Sequence, residues 1–90
     1  MFKTLEELIS VIRQRKESST KESYTKKLLN NKKLSVEKVK EEIAELIDAI
    51  EKDTNQVHEA ADALYHLMVL LEANGIKIEN VMDELKKRQK

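Results

Sequence analysis

Glu59-Ala60-Ala61-Asp62-Ala63-Leu64-Tyr65-His66-Leu67-Met68-Val69-Leu70-Leu71 is the most apolar segment of the chain and carries a strong helical period. Val57, Ala61, Leu64, Met68 and Leu71 recur at helical spacing, and Val69 and Leu70 make the opposite side apolar as well. A helix apolar nearly all round must be covered on most sides. Ninety residues form one domain (1–90) of modest core, burying about two-thirds of the unfolded surface. A helical homodimer with this helix at its centre resolves the mismatch. Asp53-x-x-Gln56 reads as the helix's N-terminal cap. Asn74-Gly75 reads as its end, with Gly75 left-handed and Ile76 touching Leu71 in a Schellman motif.

Polar residues on such a helix need partners. Asp62 and His66 lie one turn apart, with Glu59 three residues before Asp62. The spacing predicts a neutral core histidine hydrogen-bonded to Asp62, orienting that carboxylate. The preceding helix carries Glu41-Glu42-Ile43-Ala44-Glu45, where Glu42 and Glu45 share a face as Glu59 and Asp62 do. Antiparallel packing of the two helices brings four carboxylates together. Such a cluster repels itself unless it holds a cation or keeps protons, so it points to a divalent metal site. Ser35 is the expected N-cap of this second helix, whose apolar stripe is Val36, Val39, Ile43, Leu46, Ile47 and Ile50. Glu42 falls at the edge of that stripe and is the carboxylate expected to be partly buried.

Composition agrees with an all-α chain: no proline, one glycine, and 38% charged residues. A formal net charge of zero gives no electrostatic case for nucleic acid. The apolar run Ala60–Leu71 is too short for a membrane span, and the absence of cysteine excludes disulfide and thiolate chemistry. The acidic, amphipathic N-terminus lacks a signal peptide's form, so the expected location is cytoplasmic.

Towards the N-terminus, Thr4 and Glu7 suggest a capping box for a first helix running to about Lys16, on Leu5, Leu8, Ile9 and Ile12. Residues 17–23 read as a polar loop. Ser23-Tyr24-Thr25-Lys26-Lys27-Leu28-Leu29 follows as a short helical turn that concentrates hydroxyls and ammonium groups, a set able to bind phosphate or simply to be solvated. A last helix over 78–87, with Ile78, Val81, Met82 and Leu85 on its apolar face, ends in a basic run.

Ser23-Tyr24-Thr25 with Lys27-Leu28-Leu29, Glu41-Glu42-x-x-Glu45, Glu59-Ala-Ala-Asp62-x-Leu64-Tyr65-His66, and Val81-x-x-Glu84-Leu85-x-x-Arg88 together resemble the phosphoribosyl-ATP pyrophosphohydrolases of histidine biosynthesis. The carboxylate pattern is shared with the wider MazG-like superfamily of all-α nucleotide pyrophosphohydrolases, while the Ser-Tyr-Thr segment and the Tyr-His pair narrow it. The resemblance implies a MazG-like bundle of about four helices in a homodimer, hydrolysing phosphoribosyl-ATP to phosphoribosyl-AMP and pyrophosphate with Mg²⁺. It places Glu42, Glu45, Glu59 and Asp62 at the metal, Glu41 and Glu42 at the catalytic water, and Tyr24, Thr25 and Lys27 before the substrate's phosphates. A pathway cyclohydrolase is an implied partner. Lys40 stands where the family commonly has glycine, and Asn30-Asn31-Lys32-Lys33-Leu34 replaces a loop that often carries glycine and an acidic residue. The competing readings are a house-cleaning nucleoside triphosphate pyrophosphohydrolase and a non-enzymatic helical interaction module.

Overall fold

A computed structural model describes residues 1–18 and 23–89, and five helices lie within them. They are α1 (Lys3–Glu17), α2 (Tyr24–Leu29), α3 (Lys32–Lys52), α4 (Gln56–Ala73) and α5 (Ile78–Arg88). The all-α expectation holds, with the short Ser-Tyr-Thr segment forming a helix of its own. Part of the polar loop read over 17–23, residues 19–22, lies outside the described residues.

Only three residues, Asp53 to Asn55, join α3 to α4, so the two helices run antiparallel as a hairpin. Asp53 and Asn55 both take left-handed backbone angles (φ 55° and 46°), which short polar side chains tolerate. Asp53 therefore terminates α3, and Asn55 is the N-cap of α4. The expected pairing with Gln56 is present, but Gln56 Nε2 donates back to Asp53 Oδ1 at 2.6 Å. The far end of α4 matches the sequence reading closely. Ile76 N–H donates to Leu71 O (2.9 Å), Gly75 N–H to Glu72 O (3.2 Å), and Gly75 has φ +68°.

Two other expected caps are corrected. Phe2 is the N-cap of α1 with no side-chain cap bond, so Thr4 lies inside the helix, where its hydroxyl is past the capping position. Asn31 caps α3, its side chain accepting from Leu34 N–H at 3.1 Å. Starting four residues early carries Ser35 into the interior, where its Oγ donates to Leu28 O at 2.6 Å and gives a carbonyl at the end of α2 a second donor besides the Asn31 N–H. Ser23 caps α2 in the same manner, accepting from Lys26 N–H at 3.1 Å.

The core gathers Ile12 of α1, Leu28 and Leu29 of α2, and Met68, Val69 and Ala73 of α4, flanked by Leu5, Leu8, Ile9 and Ile78. Arg13 ties the chain's two ends together. Its Nε donates to Glu72 Oε1 (2.8 Å), and its two terminal nitrogens grip Glu79 of α5 (2.9 and 2.7 Å). This fork holds the Glu79 carboxyl down to about 2. The other side of the α3–α4 hairpin remains open in a single chain: Ile43, Ile47, Ile50, Val57, Leu64 and Leu67 are all exposed, Val57 to 86%.

Candidate metal and nucleotide site

Antiparallel pairing of α3 and α4 opposes the two acidic pairs. Glu42, Glu45 and Glu59 each present an oxygen within 4.8 Å of the others, and Glu59 shares a second such group with Asp62 and His58. Glu59 is the link between the two sets. Glu42 is the buried member, its side chain 13% exposed, with the 8%-exposed His66 ring beside it. Glu42 Oε2 and Glu59 Oε2 are buried without a hydrogen-bond partner among the described residues.

That arrangement changes the chemistry of the carboxylates. Burial first, then Glu45 at close range, then Asp62 and Glu41, push the Glu42 carboxyl up to about 7. Glu59 is likewise raised, by burial and by Glu45 and Asp62, with His58 opposing. Each site oxygen is a hard donor, and two of them are orphaned in a crowd of like charge. The donor set therefore fits a hard divalent cation such as Mg²⁺, whose charge would remove the repulsion and whose coordination would satisfy the orphaned oxygens.

His66 is buried, as expected, but its partner differs. Its Nε2 lies 3.8 Å from Glu42 Oε1 across the hairpin, too long for a hydrogen bond, and burial and Lys38 lower its affinity for a proton. Asp62 instead meets His58, Oδ2 to Nε2 3.3 Å, because helical side chains lean towards the N-terminus and His58 lies one turn back. The (i, i+4) spacing of His58 and Asp62 was a signal that could have found this pair.

The α2 candidates separate. Tyr24, half exposed, sets its ring edge-on to His66 (centroids 5.9 Å apart, 85°), and Tyr65 is also edge-on to the same imidazole (5.0 Å, 81°). The Thr25 hydroxyl is hydrogen-bonded to the Tyr65 hydroxyl, pinning α2 to α4. Lys27 is exposed and makes none of the described ion pairs. Glu41 is exposed at the cluster's edge, its Oε2 3.4 Å from Lys38 Nζ. Lys38, absent from the sequence-based candidates, thus stands nearer to the acidic cluster's chemistry than Lys27 does. A groove lined by Glu41, Glu45, Asp48, Asn55 and Glu59 opens the cluster to solvent.

An α3–α4 hairpin that opposes acidic pairs beneath a short tyrosine-bearing helix defines the all-α MazG-like class. Within that class the chain belongs to the phosphoribosyl-ATP pyrophosphohydrolase family, whose model matches residues 5–89. It is 42% identical to the phosphoribosyl-ATP pyrophosphatase of Methanoculleus marisnigri, over 96% of this chain and 94% of that protein. It is 42% identical to the histidine biosynthesis bifunctional protein HisIE of Pyrococcus furiosus, over 96% of this chain and 41% of the relative. Its identity to the chloroplastic bifunctional hisIE protein of Arabidopsis thaliana is 44%, over 94% of this chain and 33% of the relative. The chain thus spans well under half the length of the two bifunctional relatives.

Proposed function

We propose that this chain, as a single domain over 1–90, hydrolyses phosphoribosyl-ATP to phosphoribosyl-AMP and pyrophosphate, the activity for which its single-function relative is named. The observation that carries the proposal is the pair of buried, unpartnered oxygens, Glu42 Oε2 and Glu59 Oε2, set opposite each other on two helices. A protein that left them so would bear an uncompensated cost, which a cation bound between these carboxylates would remove. Mg²⁺ bound there supplies charge neutralisation for the phosphates and a more acidic water.

The chain's own residues do the rest. Glu42, Glu45, Glu59 and Asp62 supply the metal's carboxylates, with Glu59 common to both groups. Glu41, exposed at the rim, is positioned to accept the proton of the attacking water, and Glu42 orients that water from the buried side. The neutral His66 ring, edge-on to both Tyr24 and Tyr65, packs beside Glu42 without itself taking a proton. Tyr24 and Thr25 form the wall facing the nucleotide, and Lys27 lies further out on the same helix. No nucleophilic side chain is required.

The exposed apolar face of α3 and α4 supports a homodimer, since Ile43, Ile47, Ile50 and Val57 would otherwise be left in water. The bifunctional relatives support a functional link to a cyclohydrolase. Among the described residues no helix is long and apolar enough to cross a membrane, and we assign the chain to the cytoplasm as a biosynthetic enzyme. Glu42→Gln and Asp62→Asn test the site: both are expected to keep the helical fold and lose turnover of phosphoribosyl-ATP. Full turnover in either folded variant would remove the carboxylates from the mechanism, and preferential turnover of a noncanonical dNTP would move the substrate elsewhere in the superfamily.

A further inference from the structure

We infer that Lys38 is the substrate-phosphate arm of this site, its ammonium exchanging Glu41 for the diphosphate end of the nucleotide and thereby releasing the Glu41 carboxylate. The inference rests on the reading of the site as a polyphosphate hydrolase. It begins from helical geometry: Lys38, Glu41, Glu42 and Glu45 occupy positions i, i+3, i+4 and i+7 of α3, one face of the helix. Lys38 stands at the N-terminal end of that face, paired with Glu41 at the rim of the acidic cluster, and its positive charge also acts on Tyr24 and His66.

Its present bond is loose. Lys38 Nζ to Glu41 Oε2 is 3.4 Å, longer than a tight charge-assisted contact, and the two side chains are 30% and 53% exposed. An ammonium held this way can be taken by a better acceptor, and a diphosphate oxygen is one. The other lysines nearby are differently placed. Lys26 bonds the Ser18 carbonyl, and Lys40 is exposed two residues further along α3, turned by about 200° from Lys38. Among the described residues, Lys38 is the ammonium paired with a carboxylate of the cluster.

The exchange ties two events together. An arriving polyphosphate brings charge that five carboxylates (Glu41, Glu42, Glu45, Glu59 and Asp62) repel, and Lys38 offsets part of that repulsion at the leaving end. Its departure from Glu41 leaves that carboxylate unpaired at the rim, available to the attacking water. A nucleoside monophosphate, lacking the diphosphate end, leaves the Lys38–Glu41 pair closed. Lys38 thus favours long-tailed nucleotides over their monophosphate products.

The test is calorimetric titration of inorganic pyrophosphate in the presence of Mg²⁺, with steady-state kinetics on phosphoribosyl-ATP, for the wild type, Lys38→Met, Lys38→Gln, Lys38→Arg and Lys52→Met. Lys52 is the control because it loses the same charge from the same helix, from an exposed pair with Asp48 (3.2 Å), which lines the groove but is none of the five site carboxylates. Lys38→Met and Lys38→Gln are expected to weaken pyrophosphate about tenfold or more and to raise KM more than they lower kcat, while Lys38→Arg retains binding within about threefold. Lys52→Met is expected to stay within about twofold of the wild type. Pyrophosphate affinity unchanged in both neutral Lys38 variants, or an equal loss in Lys52→Met, overturns the inference while normal Mg²⁺ binding and turnover leave the site reading standing. A wild type that neither binds Mg²⁺ nor releases pyrophosphate overturns both.

Discussion

Glu42→Gln should make the metal-free protein more stable, although it removes a residue central to the site. The native environment holds the Glu42 carboxyl at about 7 against an ordinary 4.5, so the folded chain keeps this proton longer than the unfolded chain does. Wild-type stability then falls as pH rises from about 4.5 to about 7 and is level above that. The full displacement corresponds to about 3 kcal/mol, which screening at the groove side reduces to about 1–2 kcal/mol. Glutamine has the same shape without the charge and escapes the loss. At roughly 4–8 °C per kcal/mol for a domain this size, the variant should melt about 5–15 °C above the wild type near pH 8 in EDTA. The gap should close as pH is brought below 4.5, where the wild-type carboxyl is protonated in both states. Saturating Mg²⁺ should raise the wild-type melting temperature and raise that of the variant much less. Thermal melts at the two pH values, with and without Mg²⁺, read all of this. A variant that melts at or below the wild type in EDTA near neutral pH and above would refute the charge-crowding argument.

Ser35→Ala removes the buried hydroxyl that shares the Leu28 carbonyl with the Asn31 N–H and should cost about 1 kcal/mol, read as a lower denaturant midpoint at constant slope. Arg13→Met strips the partly buried Glu72 of its ion pair and releases Glu79; a loss of about 1–3 kcal/mol is expected, with hydrogen-exchange protection falling first in α5. Ile50→Glu places a charge in the exposed α3 face and should shift the chain from dimer to monomer in light scattering; a wild type that is itself monomeric at the same concentration would contradict the proposed dimer.

What the sequence made legible was local chemistry. The end of α4 could be read from Asn74, Gly75 and Ile76 because a Schellman motif is specified by a few neighbouring residues. The burial of Glu42 followed from its place beside Val39, Ile43 and Leu46, and the acidic pairs followed from (i, i+3) spacing. Tertiary competition decided the rest. Ser35 has the chemistry of an N-cap, but Asn31 lies ahead of it and the end of α2 needs its hydroxyl more. Asp62 had two histidines within one turn; the N-terminal lean of helical side chains pairs it with His58, and only the packing of α4 on α3 sets His66 beside Glu42. Lys38 escaped notice because one lysine among 17 basic residues carries no local mark, and its meaning comes from its pairing with Glu41 at the edge of the folded acidic cluster.

Pyrophosphate release from phosphoribosyl-ATP, measured with Mg²⁺ and again in excess EDTA, decides whether the carboxylate cluster is a metal-dependent hydrolytic site. Stoichiometric pyrophosphate and phosphoribosyl-AMP are expected with the metal, none without it, and the signal should be lost in Asp62→Asn. Turnover that persists unchanged in EDTA, or a folded protein that releases no pyrophosphate with Mg²⁺ present, would contradict that assignment.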